Sequence, residues 1–386
     1  MSEVQLGDLM IKKGGSIDPR RHPDETFELY SVPSFENRKP EKVCGSEIGS
    51  SKQNIQANDV LLCKIVPHIR RAWVVGPSNG HRLIASSEWI IFRGENFFPA
   101  YLRHFFLSDW FHSRFMKTVS GVGGSLLRAR PAEVSRIRIP LPQMEEQKHI
   151  AAILDQADAI RGKRRKAIAK LDELLQSVFL DMFGDPVQNP KEWPVVKIGD
   201  LLESVNYGSS KKASQNGKWP ILRMNNITYS GEWDFSDLKY IDFDEKEESK
   251  YLVYAGEILF NRTNSKELVG KTAVFRESKP MAFAGYLVRG RVNGSRAVPE
   301  YISGYMNSHH GKKTLMHMCK NIVGMANINA KEFQNIKILH PLLSEQNRYQ
   351  KIVHRVKEHK NLLHSDLLKF DTLFSSLQQR AFNGEL

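Results

Sequence analysis

Two long runs that contain no proline constrain this chain more than any other feature. Residues Gln143 to Phe183 and Leu343 to Phe382 each carry apolar residues on an alternating three-then-four spacing. In the first run these are Leu154, Ala157, Ile168, Leu171, Leu175 and Val178; in the second, Val353, Val356, Leu367, Phe370, Phe374 and Leu377. That spacing is the seam of helices packed lengthwise. At 1.5 Å per residue each helix would reach about 50 Å. Superposing Glu146-Gln147 on Glu345-Gln346 aligns the two seams, so the rods are copies of one element.

The repeat extends beyond the rods. Leu6-Gly7-Asp8-Leu9 recurs as Ile198-Gly199-Asp200-Leu201, and Asp59-Val60-Leu61-Leu62 as Glu257-Ile258-Leu259-Phe260. Pro99-Ala100-Tyr101 recurs as Pro299-Glu300-Tyr301. Arg136 to Ile139 with Pro142 recurs as Asn335 to Ile338 with Pro341. Order, spacing and residue type agree, which defines a tandem duplication. We expect an α+β chain in four parts: a globular domain at 1–142, a long helix at 143–184, a second globular domain at 185–342 and a second long helix at 343–386. With each other as the available partners, the helices are expected to pair as an antiparallel coiled coil with pseudo-two-fold symmetry.

Within each globular part, β-branched and aromatic runs bounded by Gly, Pro, Asn or Ser read as strands. They fall at 27–35, 60–66, 73–76 and 83–92 in the first copy, and at 219–227, 258–261, 271–275 and 284–292 in the second. One helix opens at Pro99 or Pro299, where a missing N–H costs nothing. Gly121, Gly123, Gly124 and Gly324 then break the chain before a last strand. The acidic stretch 231–250 reads as a surface insertion.

A formal charge of +13 favours a polyanionic partner, nucleic acid first. Three cysteines, Cys44, Cys63 and Cys319, are too few for a disulfide framework and fit a reducing cytoplasm. No apolar run is long enough to span a membrane, and the N-terminus lacks the apolar core of a signal peptide. No phosphate-binding loop, dinucleotide fingerprint, zinc-protease motif or nucleophile elbow is present. His309, His310, His317 and Cys319 lack the paired tight spacing of a structural zinc site. Asp155, Asp158, Glu145 and Glu146 read as solvated rod charges.

What remains is recognition chemistry. The first domain offers Arg70, Arg71, Trp73, Arg128 and Arg130, with Arg82 and Arg93 flanking strands. The second offers Lys211, Lys212, Arg223, Asn225, Asn226, Arg262, Asn264 and Lys266, with Asn261 beside them. Arginine reads guanine and asparagine adenine through paired hydrogen bonds, while lysine and serine in loops hold phosphates. On the rods, Arg161 and Lys360 interrupt the seams at matching positions. They either extend to water or fix the register of the two helices, or else Arg161 joins Lys163, Arg164, Arg165, Lys166 and Lys170 in facing phosphate.

The run Ile139-Pro140-Leu141-Pro142 followed by Glu145-Glu146-Gln147 and a long helix, with a weaker copy at Ile338 to Gln346, resembles the specificity subunits of type I DNA restriction–modification enzymes. So does Gly256-Glu257-Ile258-Leu259 leading to Arg262 and Leu268-Val269-Gly270-Lys271. The resemblance covers essentially the whole chain. It implies a non-catalytic subunit in which each globular domain reads, in a major groove, one half of a split DNA target. The helical pair then sets the spacing and docks two methyltransferase subunits. Double-stranded DNA and, in the full complex, restriction subunits are the other expected partners. No cofactor is expected on this chain; S-adenosylmethionine, ATP and magnesium belong to the partners. Heads about 35–50 Å apart would engage DNA a turn or slightly more apart, since a turn is about 34–36 Å. The second motif reads Leu339-His340-Pro341-Leu342-Leu343 and departs from the pattern. Competing readings are a coiled-coil adaptor without sequence-specific DNA binding, and a stand-alone methyltransferase or nuclease. The latter lacks an adenine-flipping motif, because Asn189-Pro190 continues as Lys191-Glu192.

Overall fold

The computed structural model describes residues 3–11, 14–121, 127–322 and 325–386. Gly123, Gly124 and Gly324 lie outside them. The chain divides into two compact units: residues 1–165 with 365–386, and residues 166–364. The long helices, Met144–Phe183 and Leu343–Asn383, each contribute one part to either unit.

In the first unit, strand Glu3–Gln5 pairs antiparallel with Arg138–Pro140, the strand that leads into the long helix. A three-stranded antiparallel sheet holds Ala72–Val74, Val60–Cys63 and Trp89–Phe92 in that order. A five-stranded sheet lies beside it, with Thr26–Tyr30 and Arg82–Ala85 as its parallel pair. The second unit repeats the plan. Val195–Lys197 pairs with Lys337–Leu339, and Ile258–Asn261 sits between Leu287–Val292 and Thr272–Val274. Here Leu202–Tyr207 adds a fourth strand.

The repeated motifs coincide with repeated contacts. In the Leu-Gly-Asp-Leu turn, Gly7 donates its N–H to Ser135 O at 2.8 Å, and a Cβ there would stand 3.1 Å from that oxygen. At Gly199 a Cβ would likewise stand 3.2 Å from Gln334 O. Tyr101 donates its hydroxyl to Pro140 O, and Tyr301 to Leu339 O. Gln147 and Gln346, both buried, each tie three backbone groups at the strand-to-helix junction.

Several elements differ from the sequence reading. The single helix after Pro99 is two, Pro99–Leu107 and Asp109–Phe115; after Pro299 the pair is Pro299–Asn307 and His309–Met318. Ser108 and Ser308 make the break, each accepting a backbone N–H of the next turn on its hydroxyl (Phe111 and Gly311). The run 27–35 ends as a strand at Tyr30, and Pro33–Asn37 forms a 3₁₀ turn. The run 83–92 splits into Arg82–Ala85 and Trp89–Phe92 in different sheets. The stretch 231–250 is more than an insertion: Lys239–Ile241 pairs with Trp219–Ile221, and Ile241 is buried.

In each unit, the parts of the two long helices run antiparallel. In the first, Arg161 meets Asp371 at 2.6 Å, Leu154 and Phe374 share one core, and Phe382 packs edge-on to Tyr101 and Phe105. In the second, Lys360 meets Asp172 at 2.6 Å, and Phe179 and Phe183 pack around Tyr301 and Tyr349. All twelve seam residues are buried or half-buried. The aromatic residues at the helix ends extend the contact beyond that seam: Phe179 and Phe183 touch Tyr349 of the other long helix as well as Tyr301 of the globular core, and Phe382 packs on Tyr101 and Phe105. The mid-seam cations act across the helix pair. The Arg161 guanidinium lies 4.2 Å over the Phe374 ring, Arg165 also reaches Asp371 at 3.0 Å, and Arg164 reaches Asp366 at 3.9 Å. These partners favour the register reading over the phosphate one. Asp155 and Asp158 are not merely solvated. Asp155 holds His104 and Arg103, each at 2.7 Å, and Asp158 holds Arg161.

Candidate nucleic-acid interface

In the second unit, five of the expected residues converge. Lys211, Lys212, Arg223, Asn225 and Arg262 line a cleft of about 650 Å³ with Ser209, Tyr286 and the backbone at Ala284 and Gly285. The cleft exists because residue 208 is glycine: a Cβ there would lie 2.3 Å from Ala284 O, so only glycine lets the segment after Tyr207 press on that turn. Ser209 N–H then donates to Phe283 O at 2.9 Å, and Gly285 N–H to Ser209 O at 2.7 Å.

The cations around the cleft are held in different ways. Lys211 contacts Glu247 at 2.6 Å, and that hydrogen bond raises its pKa. Arg223 donates to the Asp237 carboxylate at 2.8 Å and to its carbonyl at 2.7 Å, which holds the Asp237 carboxyl below its ordinary range. Arg262 lies 5.0 Å over the Tyr207 ring, with a long 3.4 Å contact from Nη1 to Gly285 O. Lys212 and Asn225 are exposed.

In the first unit, the expected arginines are engaged within the domain. Arg70 donates to Leu107 O at 3.0 Å and pairs with Asp109 at 2.6 Å, bracing the junction of the two short helices. Arg71 lies 3.5 Å from Glu36. Arg128 faces Glu88 through two contacts, and exposed Arg130 donates to Thr118 O. Arg82 pairs with Glu25 at 3.1 Å. Arg93 grips the fully buried Asp59 through two 2.6 Å bonds, a structural pair that recurs as Arg291 with Glu257.

Two expected contacts are corrected. Trp73 is buried between the sheets, packed against Tyr30, Phe35 and Trp89, because it sits on a strand face that looks into the core. Asn226 is buried too; its side chain accepts from Arg223 N–H and donates to the Asp234 and Asp237 carbonyls, fastening the loop rather than facing a ligand. Asn264 and Lys266 do not line the cleft. Asn264 lies on a strand that pairs with Met325–Asn327 and accepts Ser265 N–H at 2.9 Å; Lys266 is exposed. Asn261 is wholly buried. Sequence reasoning missed Ser209, Tyr286 and Glu88. Their roles depend on strand pairing between distant segments, which no local signal carries.

The histidine group does not converge. His310 packs on Tyr305, His317 Nδ1 lies 2.7 Å from Lys313 O, and the Cys319 thiol bonds to Leu315 O. Among the described residues, no group of three or more His, Cys, Asp or Glu could hold a metal ion, and no helix is long and apolar enough to cross a membrane.

Each unit thus carries one copy of a duplicated α+β domain tied to its own parts of the two long helices, and the second copy opens a cationic cleft. The chain belongs to the type I restriction–modification DNA specificity family, whose model matches residues 1–171 and 190–369. It is similar to the EcoKI specificity subunit of Escherichia coli K12, 24% identical over 312 residues. That match covers 75% of this chain and 66% of the relative, so this chain spans just under two thirds of that protein's length. A second relative, the StySPI specificity subunit of Salmonella potsdam, is 25% identical over 81% of this chain and 72% of its own. Among solved structures, a chain from a type I restriction–modification system studied for complex assembly and conformational transition superposes with a TM-score of 0.60. It is 19% identical, and the superposition covers 100% of this chain and 98% of that one, a likeness of fold.

Proposed function

We propose that this chain is a non-catalytic DNA sequence-recognition subunit of a type I restriction–modification enzyme. Each globular domain reads one half of a bipartite target in the major groove, and the long helices determine the non-specific spacer and dock two methyltransferase subunits. The carrying observation is the cleft of the second domain, where four cations and an asparagine from three separate segments meet around an exposed tyrosine. Cations flanking such a groove hold phosphates, while arginine and asparagine address base edges. Docking is supported by large apolar side chains left exposed on the helices: Leu174, Leu180 and Leu362 in the second unit, Leu368 and Leu373 in the first. S-adenosylmethionine, ATP and magnesium would act in the partner subunits, and the assembly would work in the cytoplasm.

The test is reconstitution. Purified alone, the chain should neither methylate nor cut DNA. Combined with its methyltransferase subunit, it should direct methylation to one split motif. Methyl transfer by the isolated chain would refute the proposal, and so would a partner that methylates the same motif without it.

A further inference from the structure

Both domains carry the same backbone frame beside the central strand. Lys64 N–H donates to Glu88 O and Arg262 N–H to Tyr286 O, each at 3.0 Å. Ala129 N–H donates to Lys64 O, and Ile328 N–H to Arg262 O. Ile65 bridges Arg128 where Thr263 pairs with Asn327. Positions 64, 88 and 128 therefore correspond to 262, 286 and 327, and the side chains differ at all three.

Each frame holds one arginine that is oriented without being used up. In the first domain the Glu88 carboxylate takes Nε of Arg128 at 3.3 Å and Nη2 at 3.2 Å. One edge of the guanidinium is thereby fixed, and among the described residues Nη1 makes no hydrogen bond, on a side chain that is 44% exposed. In the second domain the position of Glu88 is taken by Tyr286, and the arginine has moved to position 262. It is oriented by stacking on Tyr207 and by the long Gly285 contact, with Nη2 making no protein hydrogen bond among the described residues. Of the other candidate arginines, Arg70 is committed to Asp109 and Leu107, Arg71 lies against Glu36 and Arg223 is held by Asp237. Exposed Arg130 makes a long 3.4 Å bond to Thr118 O, with no carboxylate fork like that of Glu88 among the described contacts. A rigid guanidinium with an unused donor pair is what guanine O6 and N7 require.

Resting on the proposed DNA-recognition role, we propose that Arg128 in the first domain and Arg262 in the second each read a guanine of their own half-site. Glu88 and Tyr207 are the positioning residues. The frame is shared but the reading position has shifted within it, so the two half-sites differ although the domains are duplicates.

The experiment uses the purified complex of the full chain with its methyltransferase subunits. Competing duplexes carry each base pair of the methylated motif replaced in turn, and each variant is scored by the ratio of its affinities. R262K and R128K keep the charge and lose the fork. R262K should reduce discrimination at one G·C pair of one half-site by roughly 10- to 100-fold, and R128K at one G·C pair of the other. E88Q should reproduce part of the R128K effect at the same base pair. K212A should instead weaken all duplexes about equally. An even loss across all duplexes for R262K or R128K would make that residue a phosphate contact and overturn the proposal; unchanged ratios would overturn it as well. A wild-type complex without sequence preference would instead refute the DNA-recognition reading itself.

Discussion

Replacing Gln147 by alanine tests how each domain is fastened to its long helix. The side chain is 1% exposed; Oε1 accepts Phe98 N–H at 2.7 Å, and Nε2 donates to Pro142 O at 2.9 Å and more weakly to Asn96 O at 3.3 Å. Alanine leaves two well-made bonds without a partner in a buried setting, at about 1–3 kcal/mol each. Phe98 is half-buried, so water recovers part of its loss, and about 3 kcal/mol remains. The chain has two units, and a single unfolding free energy is therefore not well defined. The suitable assay is native-state hydrogen exchange at the Phe98 amide. A loss of about 3 kcal/mol corresponds to roughly 100-fold faster exchange at that amide. Gln346→Ala should act the same way at Val298, less strongly, because the bond it removes there is 3.1 Å long. Exchange at Phe98 within a few-fold of the wild type would refute the view that this glutamine fastens the junction.

Trp73→Ala should cost about 3–5 kcal/mol in urea unfolding of the first unit. Any loss of DNA binding should track the unfolded fraction, since the ring is enclosed by Tyr30, Phe35 and Trp89. Burial, with Lys271 nearby, pushes the Lys312 ammonium down to about 8. Between about 8 and its ordinary 10.5, the unfolded lysine keeps a proton that the folded one has released, so stability rises with pH across that interval. Lys312→Met should reduce the rise, Lys271 and Lys357, which burial also holds below their ordinary value, supplying what remains, as read from urea midpoints at pH 7 and 9.5. DNA affinity of the reconstituted complex should fall steeply with salt, and Lys212→Ala should reduce the slope of log affinity against log salt by about one.

The duplication and the long helices were legible because they rest on periodicity and spacing, which survive in one dimension. Gln147, Tyr101 and Gly7 were visible as repeats of Gln346, Tyr301 and Gly199, and their contacts explain why those residue types recur. The second-domain cleft was partly legible: Lys211, Arg223 and Arg262 were singled out by type, but only the pairing of distant strands brings them beside Tyr286. Trp73 and Asn226 misled because residue type says nothing of which strand face looks inward or whether an amide closes its own loop. The break at Ser108 was readable as a cap, yet the apolar periodicity runs through it.

The central claim is that each globular domain specifies one half of a split DNA target. The most direct measurement replaces residues 1–142 with the first domain of another family member and sequences the methylome of cells that also express the methyltransferase subunit. One half of the methylated motif should change while the other half stays as it is in cells with the parent chain. A motif that changes in both halves, or in neither while methylation persists, would contradict the claim.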